Sequence, residues 1–187
     1  CYAKGDFVLR EDLEIFESKL AKFVGTKYAI GVSSGTDALK LSYKALGLKP
    51  GDEVITVSHV FIAPIQEIYN LGAKPVLIDV KEDGLMDPNL LEQAITKKTV
   101  GIVPIHLSGK VCDMDKIMKI ARKYKLWVVE DACQALGAKW KGKMAGTFGD
   151  VGCFSHIAPK TLGMGGDGGT IVTNRKDLYT RINLLRN

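Results

Sequence analysis

Amphipathic stretches alternate with short apolar runs through the first two thirds of the chain. Leu13, Phe16, Leu20 and Phe23 recur every three or four residues among charged and polar ones, which predicts a helix that ends at Gly25. Short, continuous apolar runs predict buried strands instead. From these two patterns we expect helices at 36–46, 63–71, 87–95 and 114–124, and strands at 28–32, 53–57, 75–80, 100–105 and 126–130.

This alternation of strands and helices predicts the fold class. Parallel strands need crossover connections, which are right-handed and usually helical, and the helices then cover both faces of the sheet. We therefore expect an α/β fold with three layers, α-β-α, around a mainly parallel, mixed sheet. Because no internal repeat or linker interrupts the pattern, residues 1–187 are interpreted as one domain.

After Asp131 the helical pattern gives way to a glycine-rich region. Short strands are predicted at 152–155 and 170–173, with tight turns between them. Loops at the ends of sheet strands commonly carry functional residues, so chemistry is expected in this region.

The two ends of the sequence suggest a piece of a longer protein. Leu178, Ile182 and Leu185 form one face of a last predicted helix, which reaches Asn187 without a capping residue or a breaker. The first residue is Cys1 rather than methionine. We therefore expect further chain beyond the sequence given.

The composition is that of a folded protein, with 46% hydrophobic and 25% charged residues among 187. The net charge of +5 is spread along helix faces, so we expect no nucleic-acid partner. No apolar run approaches the roughly 20 residues of a membrane helix, and no secretion signal is visible, so no membrane partner is expected. Four cysteines without close pairing are interpreted as reduced thiols, which predicts a cytoplasmic protein.

Three familiar motif types find no support in their context. Residues 163–168 (GMGGDG) match G-x-G-x-x-G, but the nicotinamide fingerprint follows a strand and opens a helix, whereas a strand is predicted next here. His59, His106 and His156 lack the spacing of metal ligands, so we predict no metal site. A serine hydrolase is disfavoured because no G-x-S-x-G elbow is present.

Three other segments carry groups that could act together. Asp131 and Gln134 follow directly after a buried strand. Lys160 lies among apolar residues, proline and glycines, and partial desolvation would leave its amine available to attack a carbonyl. Ser34 to Asp37 lead from a strand into a helix N-terminus, whose free N–H groups and positive dipole suit a phosphate. Together, the anion site, the lysine and the carboxylate match what pyridoxal 5′-phosphate (PLP) needs.

At this point the chain resembles the sugar aminotransferases of the DegT/DnrJ type, a family of PLP-dependent enzymes with fold type I. The resemblance rests on residues 34–39 (SGTDAL), 50–54 (PGDEV), 104–109 (PIHLSG), 130–134 (EDACQ), 149–155 (GDVGCFS) and 166–169 (GDGG). It covers essentially the whole chain and implies that residues 1–187 form the large PLP-binding domain. Family members are longer, so the resemblance also implies that a small C-terminal domain is missing from this chain.

The resemblance implies a role for each candidate residue. Lys160 matches the lysine that bonds to the cofactor and then moves a proton as general base and acid. Asp131 matches the carboxylate that keeps the ring nitrogen protonated. Gln134 would lie beside the ring hydroxyl, and Phe61 matches the aromatic residue that stacks on the ring. The phosphate contacts are implied to be Gly35, Thr36, Asp37 and Ser155.

The implied reaction transfers an amino group from an amino acid, usually L-glutamate, to the keto sugar of a nucleoside-diphosphate sugar. The resemblance implies a homodimer whose partners are these two substrates. Two alternatives stay open: another PLP reaction on the same fold, such as sugar dehydration or transfer to a cyclitol, and a non-catalytic regulatory relative. Lys160 and Asp131 favour an enzyme, since a structural role needs neither.

One segment departs from the family pattern. The family usually has an aromatic residue after the serine and a proline two residues before the lysine. Here His156 follows Ser155, Ala158 stands at the usual proline position, and Pro159 directly precedes Lys160. His156 is interpreted as a loop residue.

Overall fold

A computed structural model describes residues 11–186, so Cys1 and Asn187 lie outside the described residues. The helices are α1 (Glu11–Val24), α2 (Gly35–Ala45), α3 (Ala63–Asn70), α4 (Leu91–Ala94), α5 (Met114–Tyr124) and α6 (Lys176–Arg186). The strands are β1 (Tyr28–Val32), β2 (Glu53–Val57), β3 (Lys74–Ile78), β4 (Thr99–Ile102), β5 (Trp127–Asp131), β6 (Lys139–Trp140), β7 (Lys143–Met144), β8 (Val151–Ser155) and β9 (Gly169–Thr173). Two short 3₁₀ turns cover Pro88–Leu90 and Leu107–Gly109.

Seven strands form one mixed sheet in the order β1-β9-β8-β5-β4-β2-β3. Neighbours from β8 to β3 are parallel, whereas β9 runs antiparallel to both β1 and β8. The α/β fold class with a mainly parallel, mixed sheet is therefore confirmed. β6 and β7 form a separate two-stranded hairpin, which the apolar pattern did not predict because each strand has only two residues.

The helices form two groups that contact the sheet separately. α2 packs against α3 and α6, while α4 packs against α5. α2 and α5 both contact the central strand β5, which is consistent with helices on both faces and a three-layer arrangement. The core between the layers is apolar, and its largest fully buried side chains include Tyr43 of α2 and Phe154 of β8.

Two predicted elements differ from the structure near prolines. The strand expected at 100–105 ends at Ile102, since Pro104 has no N–H to continue a ladder of hydrogen bonds. The helix expected at 87–95 is a 3₁₀ turn followed by a single turn of α4. It begins as predicted, because the side chain of Asp87 caps the turn through the N–H of Asn89, 3.0 Å away.

Candidate active site

The predicted site residues meet at one edge of the sheet. β5 and β8 are parallel neighbours, so their carboxyl ends, Asp131 and Ser155, lie at the same edge. A cavity of about 310 Å³ opens there. Seven of the eight predicted residues line it: Gly35, Thr36, Phe61, Asp131, Gln134, Ser155 and Lys160.

The N-terminus of α2 forms one wall of this cavity. Ser34 is the N-cap, and its Oγ accepts a hydrogen bond of 3.0 Å from the N–H of Asp37. The N–H groups of Gly35 and Thr36 lie in the first turn, where no intrahelical acceptor exists. Free N–H groups and the positive end of the helix dipole make this wall suitable for an anion.

Position 35 requires glycine because α2 approaches the strand ends closely. A Cβ atom there would lie 2.8 Å from Cβ of Ser155 and 2.9 Å from Sγ of Cys133, both well inside van der Waals contact. The absence of a side chain therefore lets the helix N-terminus reach the two strand ends and leaves its N–H groups accessible from the cavity.

Asp37 is the one predicted residue that does not line the cavity. Its backbone N–H is already bonded to the N-cap Ser34, and its carboxylate accepts a hydrogen bond from Oγ of Ser33. The expected phosphate contact through Asp37 therefore finds no support in the geometry. The N-cap motif explains why: the third residue of the helix supplies the N–H that the cap consumes.

Asp131 is a buried carboxylate at the base of the cavity. Its Oδ1 accepts a hydrogen bond of 3.0 Å from the N–H of Cys133. Burial raises the pKa of Asp131, while that hydrogen bond and the nearby Lys160 amine oppose the rise. A carboxylate in such surroundings is stabilised by a proton or a cationic N–H placed in the cavity beside it.

The remaining predicted residues surround the same space. Oε1 of Gln134 accepts a hydrogen bond of 3.1 Å from the N–H of Ser108, so its amide NH₂ remains the group to meet a ligand. Phe61 lies in the β2–α3 loop with 69% of its surface exposed, which leaves its ring open to be covered. Lys160 lies in the β8–β9 loop and is partly buried.

Glu130, next to Asp131, holds together three segments around the site. This fully buried carboxylate accepts hydrogen bonds from Nε2 of His106 at 2.9 Å and from the N–H groups of Gly146, Phe148 and Gly149 at 2.8, 2.6 and 2.7 Å. Four donors from two distant segments therefore satisfy it. Glu130 therefore fixes the end of β5 to the loop before β8.

His106 and Cys133 also line the cavity, and neither was among the predicted site residues. Nδ1 of His106 accepts the N–H of Cys112 at 3.2 Å, so the ring proton lies on Nε2 and points to Glu130. Burial raises the pKa of the Cys133 thiol. Both residues belong to segments quoted for the resemblance, but nothing in their type or spacing alone indicated that they reach the cavity.

His156 lies in the loop after β8, as interpreted, but its side chain is buried. Nδ1 lies 3.1 Å from the carbonyl oxygen of Leu162 and Nε2 lies 2.8 Å from Oγ1 of Thr170. A carbonyl only accepts, so Nδ1 carries the proton and Nε2 accepts from the hydroxyl of Thr170. Phe16 of α1 contacts the ring edge-on, with 5.6 Å between ring centroids.

We expect His156 to make stability sensitive to acid. Burial lowers its pKa, so below the ordinary histidine pKa of about 6.5 the unfolded chain binds a proton that the folded chain excludes. Relative to H156F, the free energy of unfolding of the parent protein should fall with decreasing pH, by at most about 1.4 kcal/mol per pH unit. Urea denaturation at several pH values between 7.5 and 5 measures this difference, and equal pH dependence in the two proteins would contradict it.

The segment that matches G-x-G-x-x-G lies in the loop between β8 and β9 and leads into a strand, not a helix. Within residues 11–186, no group of three or more His, Cys, Asp or Glu side chains is arranged to hold a metal ion. Over the same range, no helix combines the length and the apolar character needed to cross a bilayer.

Solved and curated proteins resemble the chain along nearly all of its length. A transaminase of Streptomyces venezuelae named for dTDP-3-amino-3,4,6-trideoxy-alpha-D-glucose is 43% identical over 98% of the chain and 48% of its own length. UDP-2-acetamido-2-deoxy-3-oxo-D-glucuronate aminotransferase of Pseudomonas aeruginosa is 45% identical over 95% of the chain and 50% of its own. A pleiotropic regulatory protein of Geobacillus stearothermophilus is 40% identical over 96% and 49%.

The crystal structure of S. venezuelae DesV in complex with a ketimine intermediate superposes with a TM-score of 0.96 at 42% identity, covering 100% of this chain and 50% of that one. The chain thus spans about half the length of the relatives it matches. The family model for DegT/DnrJ/EryC1/StrS aminotransferases matches residues 2–187. The resemblance expected from the sequence is confirmed, and the chain belongs to the DegT/DnrJ/EryC1/StrS aminotransferase family.

Proposed function

We propose that this protein is a PLP-dependent aminotransferase that moves an amino group from an amino acid, L-glutamate in the first instance, to the keto sugar of a nucleoside-diphosphate sugar. One observation carries the proposal: a lysine amine, a buried carboxylate and a free helix N-terminus line a single cavity. Relatives with 43% and 45% identity are named for transamination of dTDP- and UDP-linked sugars, which supports the substrate class.

The residues of the cavity fit PLP. The N–H groups of Gly35 and Thr36 and the hydroxyl of Ser155 would hold its phosphate, where a Cβ on residue 35 would block the approach. Asp131 would bind the protonated ring nitrogen, which offsets the cost of burying that carboxylate. Lys160 would bond to the aldehyde, Gln134 would donate to the ring oxygen, and Phe61 would cover one ring face.

When bound, PLP supplies an electron sink and carries the amino group between the two substrates. The chain supplies the rest. Lys160 would take the proton from the substrate carbon and return it to the opposite end of the reacting system, as general base and then acid. Asp131 would keep the ring nitrogen charged throughout, because a buried carboxylate binds that N–H more strongly than water does.

The test is the amino-donor half of the reaction. With PLP bound, L-glutamate alone should release 2-oxoglutarate in an amount equal to the enzyme, and addition of a dTDP- or UDP-linked keto sugar should make the release catalytic. Stoichiometric release without turnover on any keto sugar would contradict the substrate class only. Absence of release, with PLP bound, would contradict amine transfer from glutamate and favour the regulatory alternative. A relative that is 40% identical and named as a regulatory protein supports that alternative.

The Asp131→Asn variant is expected to lose amine-transfer activity without losing stability. The amide keeps an acceptor for the N–H of Cys133 but removes the charge, so amine transfer should fall by about 10²- to 10³-fold, as when one pre-organised electrostatic partner is lost. Because burial raises the pKa of Asp131, the cofactor-free variant should unfold at an equal or higher temperature than the parent. Kinetics and thermal melts of this variant, with the exposed Asp115→Asn as control, measure both effects.

We further propose that the enzyme works as a homodimer in the cytoplasm, with residues 1–187 as its large, cofactor-binding domain. Large apolar side chains are exposed on the open side of the cavity and the adjoining β8–β9 loop, which supports a cover from a second subunit or another domain: Phe61, Ile62, Leu162 and Met164. Cys112, Cys133 and Cys153 are free thiols, which supports a reducing compartment. Sedimentation of the protein with PLP bound tests the assembly, and a monomer would contradict the proposed homodimer. Cell fractionation tests the compartment.

A further inference from the structure

His156 lies at the neck of the loop that carries Lys160. This loop joins β8 to β9, and residues 157–167 are all partly or fully exposed. The backbone of His156 makes two of the bonds that close the neck: its N–H donates to the carbonyl of Gly168 at 2.7 Å, and its carbonyl accepts from the N–H of Met164 at 2.9 Å. Both ends of the glycine-rich segment are therefore bonded to this one residue.

The side chain of His156 adds two further bonds in the same place. Nδ1 donates to the carbonyl of Leu162, two residues beyond Lys160, and Nε2 accepts from the hydroxyl of Thr170 in β9. The imidazole thus links the middle of the loop to a buried strand of the sheet. The side chains of both His156 and Thr170 are within the core, with 2% and 0% of their surface exposed.

An exposed loop with few apolar contacts is ordered mainly by its hydrogen bonds. Only a few backbone bonds lie inside this one, such as that from the N–H of Lys160 to the carbonyl of Ile157 at 2.9 Å. Loss of the imidazole would leave the carbonyl of Leu162 and the hydroxyl of Thr170 without these partners. The segment that includes Lys160 would then open more often.

We propose that His156 is a positioning residue that fixes the loop of Lys160 through its two ring nitrogens. The phenyl ring of an aromatic residue, the type usual in the family at this position, can make neither bond. The chain therefore holds its lysine loop to strand β9 by a polar clamp. The catalytic consequence rests on the proposed function, but the clamp itself can be measured without cofactor.

Tryptic cleavage of the cofactor-free protein tests the clamp. Lys160 is the only lysine or arginine between residues 157 and 168, so cleavage after it reports opening of this loop alone. We expect H156F to be cut there about 10- to 30-fold faster than the parent, the factor that loss of two ordinary hydrogen bonds produces. Cleavage at Lys97 and Lys98, in the exposed segment before β4, should not change and controls for global unfolding.

Two further variants make the test specific for the ring nitrogens. H156N keeps a donor near the position of Nδ1 and should recover part of the protection, whereas T170V removes only the partner of Nε2 and should accelerate cleavage by about three- to tenfold. Equal cleavage at Lys160 in the parent, H156F and T170V would overturn the proposal. T170V also keeps it testable if H156F does not fold.

Reaction with PLP separates this inference from the proposed function. After borohydride reduction, H156F should form the adduct on Lys160 more slowly than the parent, because an opened loop holds the amine away from the site. Faster cleavage in H156F together with no adduct in any variant would support the clamp and contradict the proposed cofactor role of Lys160. An adduct that forms at the parent rate despite rapid cleavage would show that the clamp does not position the lysine.

Discussion

Lys160→Ala should abolish the covalent PLP adduct and reduce amine transfer by at least about 10³-fold, because one side chain both holds the cofactor and moves the proton. Stability should change little. The Lys160 side chain is partly exposed, and the backbone bond from its N–H to Ile157 is kept by alanine. The measurement combines turnover, borohydride reduction with peptide mapping, and urea denaturation.

Lys143→Ala is the matched control for this experiment. Lys143 lies in the β6–β7 hairpin with its Nζ 4.5 Å from the ring centroid of Phe148, outside the cavity, so its loss should leave the adduct and the turnover in place. Turnover of Lys160→Ala at the parent rate would remove Lys160 from the catalytic role. An adduct on a different lysine in the parent protein would move that role elsewhere.

Glu130→Leu should lower the free energy of unfolding by about 3–5 kcal/mol, the usual cost of breaking a buried, fully bonded network. The leucine would leave the N–H groups of Gly146, Phe148 and Gly149 and the Nε2–H of His106 without their acceptor. Glu130→Gln should show a smaller loss, because its amide oxygen still accepts the hydrogen bonds made to one of the two carboxylate oxygens, whereas its NH₂ group cannot accept those made to the other. Urea denaturation of the cofactor-free proteins measures both.

Glu92→Gln serves as the control for the loss of a carboxylate. Glu92 makes an exposed ion pair of 2.8 Å with Lys123, and such pairs contribute about 0–1 kcal/mol. A loss below about 1 kcal/mol for Glu130→Leu would mean that water replaces the missing acceptor. The carboxylate would then be dispensable for the loop before β8.

Much of the fold could be predicted from local patterns. The helix from Leu13 to Phe23 has a helical apolar period, while the runs that became β1, β2 and β5 are identified as strands by their short length and β-branched residues. Of the candidate site residues, Asp131 and Gly35 are proposed from their positions after a buried strand and at the start of a helix, whereas Ser155 is implied only by the resemblance to the family.

What could not be predicted depends on contacts between distant segments. The partners of Glu130 come from residue 106 and from residues 146–149, and no spacing relates them in the sequence. The sequence indicates only that His156 is a loop histidine, because the contacts of its ring with Leu162 and Thr170 depend on the fold. Asp37 lies outside the cavity lining for a local reason: its N–H donates to Ser34, and its carboxylate accepts from Ser33.

The position of β1 in the sheet affects how the chain can fold while it is being synthesised. β1 is an edge strand whose neighbour in the sheet is β9, with Tyr28 opposite Thr173. At synthesis rates of about 5–20 residues per second, β1 would wait roughly 7–30 s on the ribosome for that partner to be translated. During this interval an apolar strand edge is open to wrong pairing, so the nascent chain is most exposed to aggregation, and most dependent on chaperones, until β9 (Gly169–Thr173) has been translated.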